Sequence, residues 1–412
     1  MLAGAEIIAI GSELLTPHRI DSNSLYLTTQ LNSIGIEVEL KIVAGDNEGR
    51  LEQVVRAAIN RSPLVIVTGG LGPTEDDVTK KVFARVLKRQ LILEEPILRH
   101  IQSRFQSRGL EMPPNNARQA LVPVGARVLE NIAGTAPGLW LEEDNCVVIL
   151  LPGVPTEMKT IFEEFCLPLL SKRTGGFRLF TRVLKATGIT ESQLDEQIAP
   201  IYTKYKNTST TILASQGEIQ VHLTGRARST QEAEELIREM SDKIELELGT
   251  AIFSRGGESL EQIVGYSLLN RKMTLAVAES CTGGLISERM TCVPGSSAYF
   301  LCGITCYSNQ SKVELAGIPP LLLEMNGAAS REVAIGLAEG IQEKVGSTIG
   351  LGVTGVAGPS GGSVEKPVGL VHLALVMGTE VEHQEHLFKG NRERIRFWAS
   401  QTALDMVRRK LI

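Results

Sequence analysis

Along the first seventy residues the apolar positions switch between two periods. The unbroken run AEIIAI (5–10) predicts a buried strand. In Asp21 to Gly35, Leu25, Leu27, Leu31 and Ile34 recur close to helical spacing and a glycine ends the run, which predicts a helix. VELKIVA (38–44) predicts a strand, Glu48 to about Asn60 a helix, and PLVIVTGG (63–70) another strand. This rhythm predicts a parallel sheet with helices on both faces. VVILLPG (147–153) repeats the theme of an apolar strand running into a glycine loop, so a first domain is expected over residues 1–170.

The basic, glycine-bearing SKRTGGF (171–177) reads as a linker. Beyond it GEIQVHLTGRAR (217–228) alternates Ile219, Val221 and Leu223, the pattern of a half-exposed strand. Ser229 and Glu232 form a capping-box pattern, and Ala233, Leu236, Ile237, Met240 and Ile244 make one helical face that Gly249 ends. A small α+β domain is expected over 171–256. A third unit, 257–412, has strand patterns at TLAVA (274–278), FLCGITCY (300–307), TIGLGVTG (348–355) and GLVHLALV (369–376). Three of these run into the loops ESCTGG, SNQSK and VAGPSGG, and ligands of open α/β sheets collect at such strand ends. The fold class is therefore α/β, with a parallel-sheet N-terminal domain, a small α+β middle domain and a C-terminal α/β domain.

Composition narrows the class. A chain of 412 residues fits two or three domains. The N-terminal stretch lacks a basic n-region and is interrupted by Glu6 and Glu13, so it does not read as a signal peptide, and no run is long enough to span a membrane. Six cysteines form no C-x-x-C pair, which fits a reducing cytoplasm. The net charge of −5 argues against a broad nucleic-acid-binding surface.

TGGLGPTEDD (68–77) is the first site candidate. Gly69, Gly70 and Gly72 would let backbone N–H groups approach an anion, close to a helix start. Glu75, Asp76 and Asp77 arrive beside that cradle, and a divalent cation would reconcile carboxylates with a phosphate. Asp46 and Glu13 also follow strands and belong to the same sheet edge. The rival account is structural: Thr74 and Asp77 as a capping box.

The stretches IGSELL, IDSN, VAGDN, VIVTGGLGPTEDD, PPNNARQA, GTAPG and LPGVPTEM, in that order, closely resemble the N-terminal domain of the CinA (competence/damage-inducible) family. The resemblance implies a molybdopterin-binding-like fold and hydrolysis of ADP-ribose dependent on a divalent metal such as Mg, Mn or Co. It implies metal ligands among Glu13, Asp46, Asp76 and Asp77, with Gly69, Gly70, Gly72 and Thr74 on the substrate. Pro17-His18-Arg19 replaces a common glycine, and LPGVP replaces LPGPP; neither change removes a carboxylate.

AESCTGG (278–284) is the second candidate. Ser280 and Thr282 would each serve as a helix cap. CYSNQSK (306–312) places Lys312 in or near the first turn of a helix, where the dipole would lower its pKa and make it a base. Ser280 with Lys312, or Cys281 acidified at a helix start, would each be a nucleophile, and the residues leave both open. His372, His383 and His386 lie outside these loops and read as packing or surface groups.

AESCTGG, GSSAYF, YSNQSK, GAAS, VTGVAGPSGG, EKPVG and GNRERIR closely resemble the C-terminal domain of the same family, a nicotinamide mononucleotide deamidase. The resemblance implies Ser280 as nucleophile, Lys312 as base and Tyr307 in support, with no cofactor. It also implies Thr282, Gly283 and Gly284 near the oxyanion, Gly358 on the ribose or phosphate, and Arg396 on the phosphate. Arg392, Arg394 and Lys366 are further cations at hand. The middle segment resembles a KH-like fold, yet no G-x-x-G occurs between Arg173 and Ser254, so a spacer or dimerisation element is expected rather than a nucleic-acid grip. A homodimer is the family expectation. The alternatives are a molybdopterin-binding protein and a competence-related nucleic-acid adaptor.

Overall fold

The computed structural model of the chain describes every residue except Met1, Ala3 and Gln216. Packing divides it into two units, residues 1–180 with 225–236, and residues 181–224 with 237–412.

The first unit is built on strands β1 (Gly4–Ile10), β2 (Glu37–Ala44) and β3 (Leu64–Thr68), a two-stranded ribbon of β4 (Leu91–Leu93) and β5 (Leu121–Pro123), then β6 (Arg127–Leu129), β7 (Gly138–Glu142) and β8 (Val147–Leu151). The main sheet has the order β2-β1-β3-β8-β7-β6. β1, β3 and β8 are buried along their whole length, as their continuous apolar runs require. Glu6 interrupts one such run and is itself buried, but its carboxylate accepts from Arg61 Nη2 at 2.8 Å and Ser62 Oγ at 2.5 Å.

The expected parallel rhythm holds for β2, β1, β3 and β8, whereas β7 and β6 pair antiparallel. The reason is connection length. A parallel crossover needs a dozen residues or more, and only residues 143–146 join β7 to β8. The four parallel strands carry their C-terminal ends to one edge, which puts Glu13, Asp46, Gly69–Asp77 and Gly153–Glu157 in neighbouring loops.

A four-stranded sheet follows, ordered β10-β11-β9-β12, from β9 (Arg178–Ala186), β10 (Thr208–Ser215), β11 (Glu218–Ala227) and β12 (Ile252–Ser254). Ile219, Val221 and Leu223 all point into its buried face. The helix Thr230–Leu248 buries Ala233, Ile237, Met240 and Ile244 as its spacing predicts. At its start Glu232 N–H donates to Ser229 Oγ, but the Glu232 carboxylate accepts from Arg228 rather than from Ser229, so only half of the expected capping box forms.

The C-terminal sheet has the order β14-β13-β15-β16-β17, from β13 (Leu275–Glu279), β14 (Phe300–Thr305), β15 (Ile349–Gly355), β16 (Leu370–Met377) and β17 (Glu380–Leu387). β13, β14 and β15 are parallel, and β16 and β17 continue the sheet antiparallel. EVEHQEHL, the sequence of β17, carries no apolar run because it is an edge strand, so its pattern does not announce it. One core joins Val277, Leu351 and Leu373 to Ile286 and to Ala399, Ala403 and Val407 of the C-terminal helix Arg392–Lys410. Among the described residues no helix is long and apolar enough to cross a membrane.

Candidate functional site

The three strand-end loops of the C-terminal sheet meet around a cavity of about 360 Å³, whose lining includes Ser280, Tyr307, Lys312, Thr354, Lys366 and Arg392. The ESCTGG loop owes its shape to Glu279. This fully buried carboxylate accepts from the N–H groups of Gly284, Ile286 and Ser287 and from Ser287 Oγ, at 2.7 to 3.1 Å. It therefore caps the helix Leu285–Thr291 from the end of the preceding strand, the role that sequence offered to Ser280 or Thr282. Ser280 is released from capping and lines the cavity, while its N–H is held by the Val353 carbonyl at 2.9 Å.

Lys312 is the fourth residue of the helix Asn309–Ala316, which Ser308 caps. Its side chain is 1 % exposed, and Nζ donates to the carbonyls of Cys306 at 2.9 Å and Tyr307 at 3.3 Å. Its pKa is lowered, as expected, but the cause is burial rather than the helix dipole. A neutral amine has two N–H bonds and a lone pair. Two carbonyl acceptors use the N–H bonds and leave the lone pair.

Burial acts in the opposite sense on Cys281, whose thiol is pushed up to about 12 and packs in the apolar core. The expected acidification at a helix start does not occur, and Cys281 holds its proton at neutral pH. Tyr307 is exposed, and its hydroxyl accepts from Arg392 Nη2 at 2.5 Å; Arg392 Nη1 donates to the Gly358 carbonyl at 2.7 Å. Arg396 is placed differently. It is not part of the cavity lining, and both Nε and Nη2 donate to the Thr282 carbonyl. Gly283 N–H, expected among the oxyanion donors, is engaged by the Ser280 carbonyl at 3.1 Å.

Thr354, part of the VTGVAGPSGG stretch but assigned no role from sequence, lines the cavity and ties β15 to the GAAS loop through Oγ1 to the Ala328 carbonyl at 2.7 Å. Its place at the end of an apolar strand was the available signal. The histidines stand apart from the cavity: His372 and His383 stack with centroids 5.4 Å apart, and burial lowers both.

The first unit holds a larger cavity of about 650 Å³ at the parallel strand ends. Glu13, Asp46, Asp76 and Asp77 all line it, as do Gly69, Gly70 and Gly72. Gly69 has φ +104° and a Cβ there would lie 2.1 Å from the Ile10 carbonyl oxygen, so glycine is required for the loop to pass β1. Its N–H donates to the Leu151 carbonyl and is not offered to an anion.

Thr74 does not cap the following helix, which begins at Thr79 behind Val78. Instead its N–H and Oγ1 donate to Asp77 Oδ2 at 2.8 and 2.6 Å, closing the turn and leaving Oδ1 of Asp77 over. Asp46 Oδ2 accepts from Ser12 N–H at 2.9 Å, and again one oxygen remains. Among the described residues no three His, Cys, Asp or Glu side chains converge into a ready metal cage. A set of carboxylates without thiol or imidazole suits a hard divalent cation that completes its shell with water and phosphate oxygens.

Lys80, three residues beyond the TGGLGPTEDD motif, is 7 % exposed and donates to the carbonyls of Arg118 and Gln119 at 2.8 and 3.0 Å, so it pins the PPNNARQA segment beside the cavity. Arg118 also pairs with Glu75 at 2.6 Å, which takes Glu75 away from the cavity.

Fold and sites together define a three-part protein with a molybdopterin-binding-like domain, a KH-like domain and an α/β domain of its own kind. Residues 6–172 match the model of the probable molybdopterin binding domain, 181–254 that of the damage-inducible protein CinA KH domain, and 257–411 that of the CinA C-terminal domain. The chain belongs to the CinA family. It is 50% identical to a CinA-like protein of Koribacter versatilis, over 99% of this chain and 100% of that one. A putative competence-damage inducible protein of Acetivibrio thermocellus is 42% identical over 98% of each chain. The crystal structure of competence/damage inducible protein CihA from Agrobacterium tumefaciens is 38% identical, covering 36% of this chain and 90% of that one with a TM-score of 0.35.

Proposed function

We propose that the chain is a bifunctional hydrolase of pyridine-nucleotide salvage, with an amidase site in the C-terminal sheet and a pyrophosphatase site in the first unit. The observation that carries the first activity is the convergence of Ser280, Tyr307, a buried low-pKa Lys312 and the cations Lys366 and Arg392 on one cavity. Ser280 Oγ attacks the carboxamide carbon of nicotinamide mononucleotide while the Lys312 amine takes its proton. The tetrahedral intermediate collapses, Lys312 returns the proton to the leaving nitrogen, and ammonia departs. Water then attacks the ester, giving up a proton to Lys312, and nicotinic acid mononucleotide leaves as Ser280 is reprotonated. Arg392 and Lys366 supply positive charge for the 5′-phosphate.

In the first unit the same reading assigns cleavage of ADP-ribose to AMP and ribose 5-phosphate. A bound Mg²⁺ or Mn²⁺ supplies polarisation of a phosphoryl oxygen and an acidified water. Asp46, Asp76, Asp77 and Glu13 are the residues that would hold it, and the loop at Gly70–Gly72 orients the pyrophosphate. A second reading, a pterin held in this cavity, is favoured by the match of residues 6–172 to a molybdopterin-binding model.

The test is product release from each substrate with and without EDTA. Ammonia release lost in Ser280→Ala and Lys312→Ala but indifferent to EDTA, with AMP release lost in Asp77→Ala and on chelation, is the expected result. Absence of ammonia release in the wild type rejects the amidase. Absence of AMP release together with copurifying pterin favours the second reading.

A further inference from the structure

The cavity of the first unit spans the ends of β2, β1, β3 and β8 in that order. Asp46 follows β2 and Glu157 lies on the helix after β8, so they extend from opposite ends of a row of strands that spans three spacings, about 14 Å. The carboxylates assigned to the metal leave Glu157 without a role.

Glu157 is held rather than free. Its Oε2 accepts from Asn131 Nδ2 at 2.6 Å, and Asn131, 3 % exposed, is itself fixed because Oδ1 accepts from the N–H groups of Ala133 and Gly134. The carboxylate lies so close against Gly134 that a Cβ there would stand 1.9 Å from Oε2. Independently, Asn23 lines the same cavity at 8 % exposure, with Nδ2 donating to Thr68 Oγ1 at 2.9 Å and to the Gly153 carbonyl at 2.8 Å. Those bonds fix the amide orientation, and Oδ1 is left with no donor. A buried acceptor without a donor is costly unless an occupant supplies one.

Both groups at the β8 end are therefore acceptors. Neither side chain has a free donor to offer a phosphate, while a pair of neighbouring hydroxyls can donate to both. We infer that the β8 end is a subsite for a ribose cis-diol, with Glu157 accepting from the hydroxyls and Asn23 beside it. This deepens the proposed ADP-ribose cleavage and rests on it: the phosphates lie toward Asp46 and Asp77, and one ribose lies against Glu157.

The test is AMP release from ADP-ribose and from analogues lacking the diol on the adenosine ribose or on the terminal ribose, with wild type, Glu157→Gln and Glu157→Ala. Wild type is expected to favour the diol by on the order of tenfold or more in kcat/KM. In Glu157→Ala that preference disappears through a raised KM with kcat largely kept, and Glu157→Gln falls between. The analogue that ceases to be discriminated identifies which ribose is held. Equal use of the deoxy analogues by wild type, or undiminished preference in Glu157→Ala, overturns the inference and leaves the pyrophosphatase standing. So does a preference lost only against the hypoxanthine analogue, which would mean an adenine amine occupies the end. Should wild type release no AMP, the activity falls. Calorimetric binding of AMP against 2′,3′-dideoxy-AMP then decides the subsite: diol-dependent binding lost in Glu157→Ala supports it, and diol-independent binding overturns it.

Discussion

Nε and Nη2 of Arg396 both donate to the carbonyl oxygen of Thr282, at 3.0 and 2.7 Å. The last helix thereby holds the loop that carries Ser280, and the arginine that lines the cavity is Arg392, one turn earlier. Arg396→Ala is expected to lower kcat for ammonia release, on the order of tenfold or more, because a charged hydrogen bond of about 1.5–3 kcal/mol positions the loop. Arg392→Ala should raise KM with a smaller change in kcat. Steady-state kinetics on the two variants separates these roles, and the reverse pattern would make Arg396 the phosphate ligand.

Glu279 satisfies three backbone N–H groups and one hydroxyl from inside the core. Glu279→Ala orphans all four, and a loss of about 3 kcal/mol or more is expected in denaturant unfolding, together with loss of amidase activity. An unchanged midpoint would show that water replaces the carboxylate.

Cys281 holds a thiol pushed up to about 12 by burial, whereas Cys292 is exposed. Brief alkylation of the native protein at pH 8 should mark Cys292 and spare Cys281, and Cys281→Ala should retain ammonia release within several-fold. Mass spectrometry of the alkylated peptides checks the first statement. Selective labelling of Cys281 with loss of activity would reinstate the thiol as nucleophile.

Lys80 is lowered to about 8 by burial, against about 10.5 for a free lysine. Between those values the unfolded chain binds the proton and the folded chain does not, so this group makes stability rise with pH through that window; the cost of charging it is fully present below about pH 8. The whole swing is on the order of 3 kcal/mol. Lys80→Met should flatten the pH dependence of the unfolding midpoint between pH 8 and 10. It should also loosen the segment that Lys80 ties through Arg118 and Gln119, with a measurable rise in the KM for ADP-ribose.

An amine can accept a proton only when neutral, and burial favours that form of Lys312, the base of the proposed amidase. The rate of ammonia release should therefore rise with pH and level off at an apparent pKa below that of a free lysine. A limb that stays at the ordinary lysine value would remove Lys312 from proton transfer.

Much of this was legible in the chain. The runs of β1, β3, β8, β13 and β15 are mostly apolar because both sheet faces are covered, and the loops that follow them had to share an edge because parallel strands end together. That is why Glu13, Asp46 and Asp77, or Ser280 and Lys312, separated by dozens of residues, could be grouped without coordinates. Sequence also supplied the glycine at position 69, where φ is positive and the Ile10 carbonyl leaves no room for a Cβ.

Tertiary structure decided what each group does at those edges. Burial, not the helix dipole, sets Lys312 low and Cys281 high, and burial depends on which core the side chain enters. Glu279 took the capping task that local spacing offered to Ser280, because a carboxylate one strand-end earlier reaches the same N–H groups. Arg396 and Arg392 lie one helical turn apart and are alike in sequence, but only packing tells which faces the loop and which the cavity. Local pattern records which residues neighbour one another along the chain, whereas hydrogen-bond partners and solvent access are properties of groups brought together from distant strands.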